Sequence, residues 1–178
     1  AATLGIRAGM PLGAAHALGD IVELERNARA EQQALESLGV WAMHMTPLVS
    51  LAPPDGVLLE VRGSLGLFHG LDGLLARLRQ GLKQLGYRAQ YAVAPTPLAA
   101  TLLARGSNRT VVQDEHELGR HLGGLPLEVL RLPPAEQEAL QSIGVRTLGE
   151  CRRLSRADLA RRLSPALLET FDRLYGQA

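Results

Sequence analysis

The chain has 178 residues, of which 46% are hydrophobic and 3% are aromatic, a composition that favours helices rich in Leu and Ala around a modest sheet. Lys and Arg number 19 and Asp and Glu number 18, so the net charge argues for neither nucleic acid nor a membrane as a partner. A single cysteine excludes an internal disulfide and fits a reducing compartment, and without a membrane-length apolar run or a signal peptide we expect a cytoplasmic protein.

The first two-thirds of the chain alternates helical and strand patterns. A stripe of leucines at helical spacing over 71–85 ends at Gly86, a common C-cap residue. In chain order the sequence predicts a helix over 11–18, a strand over 20–24, a helix over 26–41, a hairpin over 43–62, a helix over 71–85, a strand over 87–93, a helix over 96–105, a strand over 110–112 and a helix over 114–122. We therefore expect an α+β fold in which helices pack on one face of a sheet.

The pattern changes near Gly124, after which strand signals stop and short helices follow. Each helix has its own start signal: Pro133 with Pro134, Thr147 with Glu150, Ser155 with Asp158, and Ser164 with Pro165. We predict a leading segment over 1–19, an α+β domain over 20–124 and a small all-helical domain over 125–178. Because the chain does not start with Met, we also expect it to be a piece of a longer protein.

The hairpin predicted over 43–62 turns at Pro53-Pro54-Asp55-Gly56, which is ordinary turn chemistry. Its tip carries one carboxylate, Asp55, and a second carboxylate, Glu60, follows five residues later. The five histidines are scattered and make no metal-ligand spacing with a cysteine or a carboxylate. From these residues alone the hairpin is a metal site, the remains of one, or only a turn.

An arginine-rich stretch over 140–163 has the form helix, tight glycine turn, helix. A turn that leads into a helix start can offer backbone N–H groups to a phosphate, and arginines nearby add charge that is independent of sequence. If this stretch binds DNA, we expect contacts at Gly144, Val145, Arg146, Thr147, Arg152 and Arg153. The alternative is a solvated, arginine-rich surface, and the pattern alone does not choose between the two.

Four stretches, taken together and in order, resemble motifs of the Y-family, or lesion-bypass, DNA polymerases. GIRAGMPLGAAHAL resembles the fingers motif, DGVLLEVRGSLGLFHG and YAVAPTPLAATLLA resemble palm motifs, and LQSIGVRTLGEC resembles a thumb motif. The resemblance covers nearly the whole chain. It implies that 1–19 is the end of a fingers-like segment, that 20–124 is palm-like, and that 125–178 is thumb-like with a helix-hairpin-helix character.

The same resemblance implies a degenerate catalytic site. Polymerases of this family hold two metal ions, partly through an adjacent Asp-Glu pair at the palm hairpin. Asp55 matches the Asp, but Gly56 stands in place of the Glu, and Glu60 matches a later, usually non-catalytic Asp. Ala2 replaces an arginine that reaches the nucleotide, and Thr96-Pro97 replaces an Asn-Lys pair. We expect no catalytic residue, no metal and no cofactor.

The thumb-like turn departs from the family as well. Arg131-Leu132-Pro133 aligns with a Gly-x-Gly turn that approaches the primer phosphate, and Pro133 has no N–H to donate. A polymerase-like scaffold whose catalytic residues are replaced resembles the ImuB-type proteins. These are catalytically inactive relatives of the Y-family polymerases that take part in bacterial SOS mutagenesis. This resemblance implies a protein of the bacterial nucleoid that bridges DNA, the sliding clamp, an error-prone replicative-type polymerase and a recombinase-like partner.

Two other functions fit parts of the pattern. The chain could belong to an active lesion-bypass polymerase that recruits Glu60, although side chains alternate along a strand and Glu60 would need a bulge to join Asp55. It could instead be a generic DNA-binding module whose active part is the helical domain, in which case residues 125–178 alone should bind DNA.

Overall fold

The computed structural model describes residues 4–7 and 9–174. The chain opens with a short helix, α1 (Leu12–Ala17), and a longer one, α2 (Ala28–Ala42). The strand predicted over 20–24 is wrong, because that segment has no regular structure. Val22 and Leu24 are 86% and 89% exposed, so the apolar residues that suggested a strand find neither a partner strand nor a core to pack against.

The predicted hairpin is present, as strands β1 (Val49–Ala52) and β2 (Gly56–Leu59), which pair antiparallel around a turn over 53–55. Helix α2 packs on both strands. Gly39 makes this contact close, because a Cβ there would lie 2.8 Å from Leu51 Cδ2. The hairpin is thus supported from the α2 side.

A 3-10 helix (Arg62–Phe68) connects the hairpin to α3 (Leu71–Gln84). The predicted C-terminal glycine is confirmed: Gly86 has a φ of 78°, which glycine adopts without strain. The leucine stripe is core only in part, since Leu74 is buried while Leu85 at its far end is 47% exposed.

The next two strands are shorter than predicted. β3 (Ala92–Val93) pairs parallel with β4 (Thr110–Val111), and α4 (Pro97–Gly106) connects them. Residues 87–91 of the predicted strand have no ladder partner and are irregular. Among the described residues the strands form two separate two-stranded sheets, so the α+β class is confirmed but the sheet is in two pieces.

The remaining elements are helical, as predicted. Their caps follow the sequence signals: Thr147 and Glu150 form a reciprocal capping box, and the Ser155 side chain accepts from the Asp158 N–H. In chain order the elements are α5 (Glu115–Gly123), a 3-10 helix (Leu127–Leu130), α6 (Pro134–Ser142), α7 (Leu148–Arg153), α8 (Arg156–Arg162) and α9 (Pro165–Leu174).

The main core crosses the predicted boundary near Gly124. It joins side chains of α4 and α5 to side chains of the later helices, and its fully buried leucines are Leu102, Leu103, Leu118, Leu122, Leu127, Leu140, Leu148 and Leu174. The division into 1–19, 20–124 and 125–178 stays a prediction, and this shared core packs the last two parts together. Within the described ranges, no helix is both long and apolar enough to cross a membrane.

Candidate functional site

The carboxylate at the hairpin tip is bound by two arginines. Asp55 Oδ1 accepts from Arg131 Nη1 at 3.1 Å and from Arg105 Nη2 at 3.4 Å, and Asp55 Oδ2 accepts a second bond from Arg131 Nη2. The hydrogen bond from Arg131 lowers the pKa of Asp55 below its ordinary value, against the opposing effect of partial burial, and Arg105 adds to the lowering. In this fold the Asp55 carboxylate therefore forms ion pairs with Arg131 and Arg105.

Local structure holds each arginine in place. Arg131 follows the 3-10 helix Leu127–Leu130 and has a φ of 52°, a left-handed conformation that is uncommon outside glycine. Arg105 lies in the last turn of α4 and also donates to the Val129 carbonyl at 3.3 Å. The sequence analysis did not identify either arginine as a partner of Asp55, because the pairs are 50 and 76 residues apart in the chain.

Glu60 does not lie at the tip. It follows β2, and its N–H bonds to the Leu48 carbonyl at the open end of the hairpin. The four residues of β2 separate Glu60 from Asp55, so the path between the two Cα atoms is roughly 17 Å along a strand. Its carboxylate accepts from the Arg62 N–H at 3.0 Å.

The remaining positions of the implied polymerase site have other surroundings. Gly56 is packed so closely that a Cβ would lie 3.0 Å from the Ala52 carbonyl oxygen. Thr96 caps α4 by accepting from the Ala99 N–H, and its hydroxyl donates to the Leu174 carbonyl. Ala2 lies outside the described residues. In the part of the chain that the structure describes, no group of three or more His, Cys, Asp or Glu could hold a metal ion.

The glycine turn of the helical part uses its backbone N–H groups internally. Glu150 Oε2 accepts from the N–H of Arg146 at 2.8 Å and of Thr147 at 3.0 Å. These bonds, the one from Arg146 first, lower the pKa of Glu150. The N–H groups of Gly144 and Val145 bond to carbonyls of α6. A phosphate at this turn would therefore meet side chains, or would have to displace Glu150.

A groove of about 470 Å³ lies between α5 and α7. Its lining residues are Gly119, Gly123, Thr147, Gly149, Glu150, Arg152 and Arg153. The structure thus brings together three of the six predicted DNA contacts, Thr147, Arg152 and Arg153. Gly144, Val145 and Arg146 are not part of the lining, and Val145 is buried.

Glycines decide the shape of this groove. A Cβ at Gly149 would lie 2.8 Å from the Gly123 carbonyl oxygen, so α5 and α7 approach closely at this pair. A Cβ at Gly119 would lie 2.3 Å from Arg152 Nη1, so this glycine leaves room for the guanidinium. The sequence analysis missed Gly119 and Gly123; their spacing of four residues on one helix is the signal that could have identified them.

Cys151 is not a reactive group in this site. Its side chain is fully buried in the core, and burial raises the pKa of the thiol to about 11. Because the thiolate is the nucleophilic form, a buried thiol of this kind is inert.

Comparison with known proteins identifies relatives of this chain. No family model matches it. Protein ImuB of Caulobacter vibrioides, in the strains NA1000 / CB15N and ATCC 19089 / CIP 103742 / CB 15, is 31% identical over 159 residues. The match covers 89% of this chain and 35% of each relative, so the chain spans only that share of the curated relatives' length.

A solved structure shows the same fold. The crystal structure of a DinB family error-prone DNA polymerase from Sulfolobus solfataricus matches 99% of this chain and 55% of that chain, with a TM-score of 0.69 and 20% identity. The chain is ImuB-type and has a Y-family polymerase fold. The ImuB likeness confirms the family inferred from the four motifs, and the polymerase structure confirms the fold class.

Proposed function

We propose that this ImuB-type chain belongs to a non-catalytic, polymerase-like scaffold in DNA damage tolerance, the process that includes translesion synthesis and induced mutagenesis. The observation that carries the proposal is the hairpin tip, where Asp55 is paired with Arg105 and Arg131 and is followed by Gly56. A carboxylate engaged by two guanidinium groups has little capacity left for a divalent cation. One carboxylate also does not hold two metal ions in register.

Primer extension by the intact protein tests the proposal. Template-directed synthesis is measured with Mg²⁺ and with Mn²⁺, beside an Asp55→Ala variant and an active Y-family polymerase as the positive control. We expect no extension by either form of the protein. Extension by the wild type that disappears in Asp55→Ala would show that Asp55 is a catalytic ligand, and the proposal would be wrong.

We further propose that the groove between α5 and α7 binds the DNA backbone through side chains. Arg152 and Arg153 line the groove, and Arg146 is exposed on the turn beside it. Because Glu150 accepts from the N–H groups of the turn, the arginine side chains carry this binding. Contacts of this kind are independent of sequence and sensitive to salt.

Fluorescence anisotropy with primer-template DNA at low and moderate salt tests the DNA site. The double variant Arg152→Ala/Arg153→Ala is compared with Arg26→Ala/Arg29→Ala, which removes the same charge from the region of the α2 N-terminus. We expect the first variant to lower the affinity about tenfold and to reduce the salt slope by about two. Equal losses in both variants would mean that only net charge matters, and the groove would not be the site.

The ImuB resemblance is also the basis for proposing partners. We propose that the whole protein acts at the bacterial nucleoid with the sliding clamp, an error-prone replicative-type polymerase and a recombinase-like protein. Complex formation by the intact protein with each purified partner, measured by analytical ultracentrifugation, tests this part separately from DNA binding. Migration of the intact protein as a separate species beside all three partners would contradict it.

A further inference from the structure

The ion cluster at the hairpin tip joins three parts of the chain that are distant in sequence. Asp55 belongs to the turn between β1 and β2, Arg105 to the end of α4, and Arg131 to the segment that leads into α6. The pairs span 50 and 76 residues. Such contacts form only when the hairpin tip, α4 and the segment over 127–131 are held together in the tertiary structure.

The cluster has features of a built junction rather than a chance surface pair. Arg131 makes two parallel bonds to the carboxylate, which is the strongest geometry for an arginine-carboxylate pair. The Arg105 side chain is only 23% exposed and is also anchored on the Val129 carbonyl. Val129 is two residues before Arg131, so both arginines act on the same short segment.

The hairpin requires stabilising contacts with other parts of the structure. It forms a two-stranded sheet of its own, and a two-stranded hairpin is marginally stable unless other elements support it. α2 packs on the strands, and β2 also contacts α4. Asp55 connects the tip to the part of the molecule that contains the main core.

We propose that Asp55, Arg105 and Arg131 form a latch that fixes the hairpin tip to the junction with the helical part. In this chain the carboxylate at the tip has a conformational role: it keeps the hairpin and the helical part moving as one body. The latch rests on the ion-pair geometry alone and does not require that the groove binds DNA.

Hydrogen exchange of the hairpin amides tests the latch, measured by mass spectrometry over 49–59 and 127–131 in the intact protein. Asp55→Asn keeps the shape of the side chain and removes its charge. The matched control is Glu31→Gln, which breaks the pair between Glu31 and Arg26, an ion pair with similar bidentate geometry but only five residues apart. We expect exchange in both segments to accelerate about twofold to fivefold in Asp55→Asn and to stay unchanged in the control.

A double-mutant cycle separates the latch from a local effect of either residue. Arg131→Gly removes the side chain and suits the left-handed backbone at this position, so it introduces no new strain. If the two residues act as one latch, the variant that carries both changes exchanges no faster than the faster of the two single variants. The proposal would be wrong if the accelerations of exchange in the two single variants multiply in the double variant, or if Asp55→Asn exchanges at the wild-type rate. Neither result depends on the outcome of the DNA-binding and extension assays.

Discussion

At the tip of the hairpin, the environment of Asp55 favours the ionised carboxylate. Arg131 and Arg105 donate to it and lower its pKa. A depressed pKa in the folded state adds stability above the ordinary pKa of the group, and this contribution is lost as the pH falls through the lower, folded-state value. The side chain is 51% exposed, so solvent screening keeps the contribution small.

Asp55→Asn should therefore remove a pH-dependent part of the stability. We expect the variant to be less stable than the wild type by about 0.5 to 1 kcal/mol at pH 7. The difference should shrink toward zero as the pH falls below about 4, where the carboxyl group of the unfolded chain takes up a proton. Urea unfolding at pH 7 and at several lower pH values measures this. A difference that is constant across these pH values would mean that the lost charge does not explain the destabilisation.

Residues differ in how far sequence alone identifies their partners. Thr147 and Glu150 were identified as a capping pair because their spacing of three residues sets the geometry inside one helix turn. The pairing of Asp55 with Arg131 has no local signature, because it depends on where two distant segments come to rest. The motif resemblance drew attention to Asp55 and Gly56 but did not identify Arg105 and Arg131 as the partners of Asp55.

Among the elements, the packing of α5 on α7 gives the groove its form. Gly149 lets the helices approach, because a Cβ there would lie 2.8 Å from the Gly123 carbonyl oxygen, and Gly119 leaves space for Arg152. A methyl group at Gly119 would press against Arg152 Nη1, whereas a methyl group at Gly123 would make only ordinary contact with Gly149 Cα at 3.8 Å.

Gly119→Ala should accordingly weaken DNA binding through Arg152. Gly13→Ala, in helix α1 and away from the groove, is the control, because a Cβ there would meet nothing within 4 Å. We expect the affinity for primer-template DNA to fall about twofold to fivefold in Gly119→Ala, as for a displaced phosphate contact, and to stay unchanged in Gly13→Ala. Anisotropy titrations measure both. Unchanged binding in Gly119→Ala would mean that the present position of Arg152 is not important for DNA.

Helices were easier to predict than strands for a physical reason. A helix satisfies its backbone within one segment, so apolar spacing and caps identify it, as at α3 and α7. A strand needs a partner, and the segments over 20–24 and 87–91 lack one in the described structure. Their apolar residues therefore did not enter a sheet.

At the scale of the whole molecule, one core joins the elements before residue 124 to the helices after it. Leu118 and Leu122 of α5 are buried with Leu140, Leu148 and Leu174 of the later helices. Removing α4 and α5 would expose the faces of these later helices to water, at a cost of roughly 25 cal/mol per Å² of apolar surface.

Residues 125–178 alone should therefore fail to unfold cooperatively, whereas a longer piece that begins at residue 92 should. Circular dichroism melts of the two pieces, which share the same C-terminal helices, measure the difference. The longer piece contains every residue of the main core cluster and serves as the control. A cooperative transition at the same midpoint in both pieces would mean that the helical part is an independent domain, as the sequence boundary near Gly124 suggests.

The sequence by itself determined the family, the α+β class, and most of the helices and their caps. These depend on local spacing or on the order of motifs, which a linear chain carries directly. Only the tertiary structure decided that Asp55 pairs with Arg105 and Arg131 and that one core crosses residue 124. Each of these depends on which distant surfaces come together, and this is set by packing of the whole chain rather than by neighbours in sequence.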